Sequence, residues 1–245
     1  IGQQILVMNP LALPLWLGGL ASLLVGAAVR RFRTLAFTYL AVLAFMLTQN
    51  AKPYYLTPVY PPLLAAGAVL VTRLARRPWL GWLPAAAVVG VALSGAVLAP
   101  FAKPLLPVES YVRYAKAAGI GPTTEERHEM GRLPQFFADM HGWSELAQAV
   151  AAVHRSLPAA DRPGSCVYGQ NYGEAGAIDY FGPALGLPRA ISGHNSYWFW
   201  GTEGCTGEVL IFIGGRREDH LRAYASVEEA GRFVCRDCMP YESNL

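Results

Sequence analysis

The sequence predicts a mixed architecture: about four transmembrane α-helices over residues 1–102, then a small extracytoplasmic α/β domain over residues 143–245. Three observations carry this. Of 245 residues, 53% are hydrophobic and only 15% charged, whereas about a quarter of an average soluble domain is charged. Up to Ala102 the only charged side chains are basic: Arg30, Arg31, Arg33, Lys52, Arg73, Arg76 and Arg77. Beyond Lys103 the composition is that of a globular protein, with strand-like and helix-like patterns in alternation. Residues 103–142 read as a linker and an irregular connection.

Leu11 to Val29 runs for 19 residues without a charge and Trp79 to Phe101 for 23, each long enough to cross a hydrocarbon core of about 30 Å. Leu35 to Thr48 and Leu56 to Thr72 need flanking threonines and tyrosines to reach that length, and a buried or re-entrant helix is their alternative. Arginines cluster in the first and third connections, while the second holds only Lys52. By the positive-inside rule, Gln49 to Tyr60 and everything after Ala102 then face the extracytoplasmic side. The net charge of +3 comes largely from these membrane-side arginines, so it gives no reason to expect nucleic acid as a partner. The chain opens on Ile1 beside an apolar run and stops at Asn244-Leu245, which reads as a segment of a longer protein.

In the second half, Lys103 to Pro107 is a proline-bearing linker, and GPTTEERHEMGRLP reads as irregular structure. A helix is expected from Trp143 to Leu157, where Trp143, Leu146, Ala147, Val150, Val153 and His154 recur at helical spacing. Next come a strand at Ser165–Tyr168, a helix at Gly173–Phe181, a short strand at Arg189–Ser192 and an apolar strand at Glu208–Ile213. A helix at Arg217–Tyr224 and a strand at Arg232–Cys235 complete a small parallel or mixed sheet covered by helices.

Ligands of open α/β sheets bind beyond the carboxyl ends of the strands, so the loops GQNYGEAGA and SGHNSYWFWG hold the candidate contacts. Asn171, Tyr172, Glu174, His194, Asn195, Tyr197 and Trp198 offer amides, a carboxylate and aromatic faces suited to a sugar. GQNYGEAGA lacks the dinucleotide-binding glycine spacing, and no cofactor motif is visible. His194 has no second ligand at metal spacing and reads first as a hydrogen-bonded loop histidine. Trp198 and Trp200 fit either sugar stacking or packing at the membrane surface. Cys166, Cys205, Cys235 and Cys238 fall on the oxidising side of that topology, where disulfides are the default and three pairings are open. Free thiols and a zinc site are the alternatives, although zinc would favour two close cysteine pairs.

In the membrane half, Lys52 beside Tyr54 and Tyr55 suits an anionic headgroup at the boundary of tails and water. A lysine reaching to the interface within an aromatic belt fits the same residues. Lys52-Pro-Tyr-Tyr-Leu-Thr-Pro-Val-Tyr-Pro, leading into Leu64-Ala-Ala-Gly-Ala-Val, resembles the late extracytoplasmic loop of bacterial polyprenyl-phosphate-sugar glycosyltransferases. That C-type fold group includes protein O-mannosyltransferases and the aminoarabinose transferases of lipid A. Asn171-Tyr-Gly-Glu-Ala-Gly-Ala-Ile and Ser192-Gly-His-Asn-Ser-Tyr-Trp are similar to the carboxy-terminal domain of such proteins.

The resemblance implies a multi-pass enzyme of the bacterial cytoplasmic membrane, moving a sugar from polyprenyl phosphate to an extracytoplasmic glycan, lipid or protein. It implies Lys52 as a contact to the lipid phosphate, with Tyr54 and Tyr55 along the lipid or sugar path. In the family the base is an acidic residue of the first extracytoplasmic loop, and many members hold a divalent metal near the phosphate. No Asp or Glu precedes Glu109, so no catalytic residue carries over and this segment alone is expected to be inactive. A membrane-anchored glycan- or partner-binding module is the competing reading. A transporter gains little, since ionisable residues are missing from all four expected spans.

Overall fold

The computed structural model describes residues 2–49, 52–122, 129–202, 204–243 and 245. The chain divides into two units, Ile1–Tyr111 and Val112–Leu245.

The first unit is helical. A short helix α1 (Gly2–Val7) precedes α2 (Leu13–Val25), α3 (Arg33–Thr48), α4 (Tyr60–Leu74) and α5 (Leu83–Ala102). Among the described residues, and counting their flanking 3-10 turns, three apolar helices are long enough to cross a membrane: Val29–Thr48, Tyr54–Leu74 and Pro78–Ala102. The first expected span is shorter than the sequence suggests. Pro10–Val25 remains a shorter apolar helix, because α2 stops at Gly26, whose backbone turns extended at ψ 119°.

Helices α2 and α4 meet backbone to backbone. A Cβ placed on Gly19 would strike the Leu63 carbonyl oxygen, and one on Gly67 would strike that of Leu15. Small residues allow such close approach between apolar helices, where dispersion and packing replace a hydrophobic driving force. Around this seam Trp16, Leu23, Ala36, Tyr39, Leu56, Tyr60 and Leu63 form the buried cluster. Tyr39 Oη donates to Gln4 Oε1 at 3.3 Å, so these two buried polar groups satisfy each other.

Helix α6 (Val108–Ala117) occupies part of the stretch expected to be irregular. Its Tyr111 and Ala115 are buried one turn apart, which marks an apolar face that the nearby prolines obscured. Within the expected loop GPTTEERHEMGRLP, residues 123–128 lie outside the described residues, and 129–134 are irregular. A single turn, α7 (Gln135–Ala138), leads to α8 (Trp143–Ser156), which starts from Gly142 in the left-handed region at φ 84°.

Strand β1 (Ser165–Gly169) is followed by α9 (Tyr172–Phe181), β2 (Ala190–Ile191), α10 (Ser196–Trp200), β3 (Val209–Ile213) and α11 (Arg217–His220). The three strands form a parallel sheet in the order β2-β1-β3. Central β1 is buried along nearly its whole length, as a parallel strand covered on both faces should be. One face carries Val167, level with Ala190 and Ile211, against Leu146 and Val150 of α8 and Ala175 and Ile178 of α9. Phe212 instead contacts Tyr168 at 5.6 Å, stacks on His220 at 4.0 Å and meets Tyr224 edge-on at 5.3 Å.

The strand expected at Arg232–Cys235 is absent; that segment is irregular. Its backbone is held by other partners: Phe233 N donates to Leu245 O at 2.6 Å, and Cys235 N to Ser243 Oγ at 3.1 Å. All four cysteines are in disulfides, Cys166–Cys205 and Cys235–Cys238, with Cα separations of 5.9 and 5.5 Å.

Candidate functional site

The lysine loop lies in the first unit. Residues 50 and 51 are outside the described residues. From Lys52, in extended conformation at ψ 135°, the chain enters a 3-10 helix, Pro53–Val59, that runs into α4. Leu56 and Tyr60, 1% and 4% exposed, pin this turn to the helical cluster, whereas Tyr54 and Tyr55 remain open. The two open rings meet edge-on at 4.9 Å, and Lys52 Nζ lies 5.9 Å from the centre of the Tyr54 ring. An ammonium at that distance is attracted by the ring face. The three residues singled out in the sequence are therefore grouped on one short turn.

The second unit holds a cleft of about 680 Å³ beyond the carboxyl end of β1. From β1 the chain passes to β2 on one side, and later returns as β3 on the other. A strand order that reverses in this way opens a crevice at the central strand. Gln170 closes its inner edge, with Nε2 donating to Ile213 O at 3.0 Å and so tying the end of β1 to that of β3.

The cleft is walled by Trp143, Tyr172, Tyr180 and Tyr241, with Asn171 and His194 also at its surface. Asn171 caps α9: its Oδ1 accepts from Gly173 N at 2.8 Å and Glu174 N at 3.0 Å. Its Nδ2 donates to Glu174 Oε1 at 3.2 Å, and Glu174 Oε2 accepts from Gln170 N at 2.6 Å. This is a capping-box arrangement at the start of the helix. His194 and Tyr172 lie 5.1 Å apart between ring centres, and His194 N donates to Ser192 Oγ at 3.2 Å.

Of the seven residues expected to meet a sugar, the structure brings Asn171, Tyr172 and His194 to the cleft. Glu174 lies under it, 2% exposed, with its carboxylate engaged by the turn. Burial raises the Glu174 pKa, and the hydrogen bonds from Gln170 and Asn171 oppose the rise. Tyr197 is also buried: its hydroxyl donates to Asp179 Oδ2 at 2.8 Å, while Asp179 Oδ1 accepts from Ala190 N at 2.8 Å. That links α9, β2 and α10, and burial with the Asp179 bond pushes the Tyr197 pKa up to about 12. Asn195, at φ 53°, leads into α10 and does not line the cleft. Trp198 is 71% exposed and is likewise absent from the lining.

Two lining carboxylates, Asp139 and Glu242, went unseen in the sequence. Glu242 arrives from a segment fastened by the Cys235–Cys238 disulfide and by an Arg132–Asp237 ion pair at 2.9 Å. The disulfide packs over Gly142, where a Cβ would strike Cys238 Sγ. Burial, joined by repulsion from Asp139 and Glu174, pushes the Glu242 pKa up to about 7. No periodicity or motif marks either residue; the Cys235-Arg-Asp-Cys238 spacing is the one sequence signal that this segment folds into a tight turn.

Among the described residues, no group of three or more His, Cys, Asp or Glu is placed to hold a metal. The chain matches no protein-family model, no curated protein and no solved structure.

Proposed function

We propose that this chain is part of an integral membrane glycosyltransferase that moves a sugar from a polyprenyl phosphate to an acceptor outside the bacterial cytoplasmic membrane. The observation carrying this reading is the turn at Lys52, with its ammonium beside the Tyr54 ring and two open tyrosines at the start of an apolar helix long enough to span a bilayer. An ammonium at headgroup level supplies the counter-charge for a lipid phosphate. It becomes more valuable as the sugar departs, because the phosphate oxygen then gains charge. Tyr54 and Tyr55 present amphipathic rings to the lipid or the sugar. No base is assigned within residues 1–102, which hold no Asp or Glu; in this reading the acidic residue, and any divalent metal, belong to the longer protein.

The test is transfer from a labelled polyprenyl-phosphate sugar by the full-length protein in membranes. Lys52→Ala is expected to lower turnover at least 100-fold without changing membrane insertion, and Lys52→Arg to recover part of it. Unchanged turnover in Lys52→Ala removes the phosphate role. A second reading, a membrane-anchored glycan-binding module without catalysis, draws on the cleft, which is built around the second unit's own core. Glycan binding by a protein that shows no transfer from any polyprenyl-phosphate sugar would favour it.

A further inference from the structure

Glu242 lines the cleft, yet it is only 7% exposed, and its Oε2 has no hydrogen-bond partner among the described residues. A buried carboxylate oxygen without a donor carries an uncompensated desolvation cost, so such a group calls for a ligand or solvent to complete it. The neighbouring acids do not relieve it: Asp139 and Glu174 both act on Glu242 by repulsion. The described lining residues include no Lys or Arg. Around the carboxylates stand the rings of Trp143, Tyr172, Tyr180 and Tyr241, and aromatic faces attract cations even at partly exposed sites.

We infer that the cleft binds the ammonium group of an organic amine, with Glu242 as its counter-ion and the aromatic rings around its carbon frame. An N–H donor of the ammonium completes Glu242 Oε2, and its charge offsets the repulsion among the carboxylates. Gln170 and Asn171 also line the cleft, but their hydrogen bonds go to Ile213 O and to the α9 cap, so the recognition rests on Glu242 and the rings. The inference concerns residues 112–245 alone and does not rest on the role given to Lys52.

The probes are putrescine, glucosamine and glucose, titrated calorimetrically at pH 8 into the whole chain in detergent. Putrescine and glucosamine are expected to bind saturably, with glucose at least tenfold weaker than glucosamine. Glu242→Gln, close in shape, should weaken both amines tenfold or more with its circular dichroism intact. Tyr180→Ala alters a ring that is 80% exposed, so the fold survives; it should weaken the amines about threefold, and it carries the test if Glu242→Gln misfolds. Glucose binding as tightly as glucosamine, an unchanged affinity in Glu242→Gln, saturable calcium binding in place of the amines, or no saturable binding at all would each overturn the inference. Loss of sugar transfer in Lys52→Ala bears only on the glycosyltransferase reading, so the two can fail separately.

Discussion

Glu242 shares its cleft with Asp139, and the repulsion between these carboxyls adds to burial in holding Glu242 protonated up to about pH 7. An ordinary glutamate releases its proton near 4.5, so between these values the folded chain binds more protons than the unfolded one. Stability then falls as pH rises through that window. The loss amounts to at most about 3 kcal/mol for this group, and the raised Glu174 pKa acts in the same direction. Thermal unfolding of the second unit, followed by near-UV circular dichroism at pH 5 and pH 8, should show the higher midpoint at pH 5. Glu242→Gln should flatten that difference and exceed the parent at pH 8; an unaltered slope would place its origin elsewhere.

The two disulfides should contribute unequally. Cys166–Cys205 closes a loop with a sequence separation of 39, for which chain entropy gives about 4 kcal/mol. Cys235–Cys238 spans a separation of 3 and should give less than about 2 kcal/mol. Replacing each pair with serine and measuring denaturant midpoints checks the ranking. Equal losses would contradict it.

The seam between α2 and α4 leaves no room for a side chain. Gly67→Ala places a Cβ against Leu15 O, a backbone atom that cannot swing aside, and overpacking of this kind costs about 1–3 kcal/mol. Gly67→Leu should cost more. Gly90→Ala serves as the control, since its Cβ would meet Leu11 Cδ1 at an ordinary 3.7 Å. Unfolding in a detergent titration should separate the Gly67 variants from both the parent and the control.

Trp198, Phe199 and Trp200 are 71%, 86% and 50% exposed, and none lines the cleft. In a chain with helices long and apolar enough to cross a bilayer, large open aromatic rings suit the headgroup region. In bilayer discs, brominated lipids should quench a tryptophan signal that Trp198→Phe removes. Protection of that signal by a glycan, with no lipid quenching, would assign Trp198 to sugar stacking.

Where the sequence repeats regularly it was readable. The periodic run from Trp143 is a helix ending at Ser156, one residue short of the expected boundary, and the apolar strand ending at Ile213 is present. Asn171 and Tyr172 were legible because a loop after a parallel strand is a recurrent ligand position. Glu174 and Tyr197 share those loops, but their roles depend on direction: both side chains turn inward to hold the turn and the sheet edge. Arg232–Cys235 has strand-like composition, yet Ser243 Oγ bonds both Cys235 N and Cys235 O, and Leu245 O accepts from Phe233 N, so these backbone groups are taken outside any sheet. Asp139 and Glu242 are about a hundred positions apart, and only tertiary folding brings them to one cavity.

The glycine seam also bears on where the lysine turn sits. Helix α4 begins at Tyr60, directly after the turn that carries Lys52, and Gly67 lies about 10 Å farther along its axis. Two helices in backbone contact can neither slide nor roll independently, so α2 braces the post on which that ammonium stands. Widening the seam by one methyl group would tilt the post and shift the charge at its tip; under the proposed function this alters phosphate binding while leaving Lys52 itself unchanged.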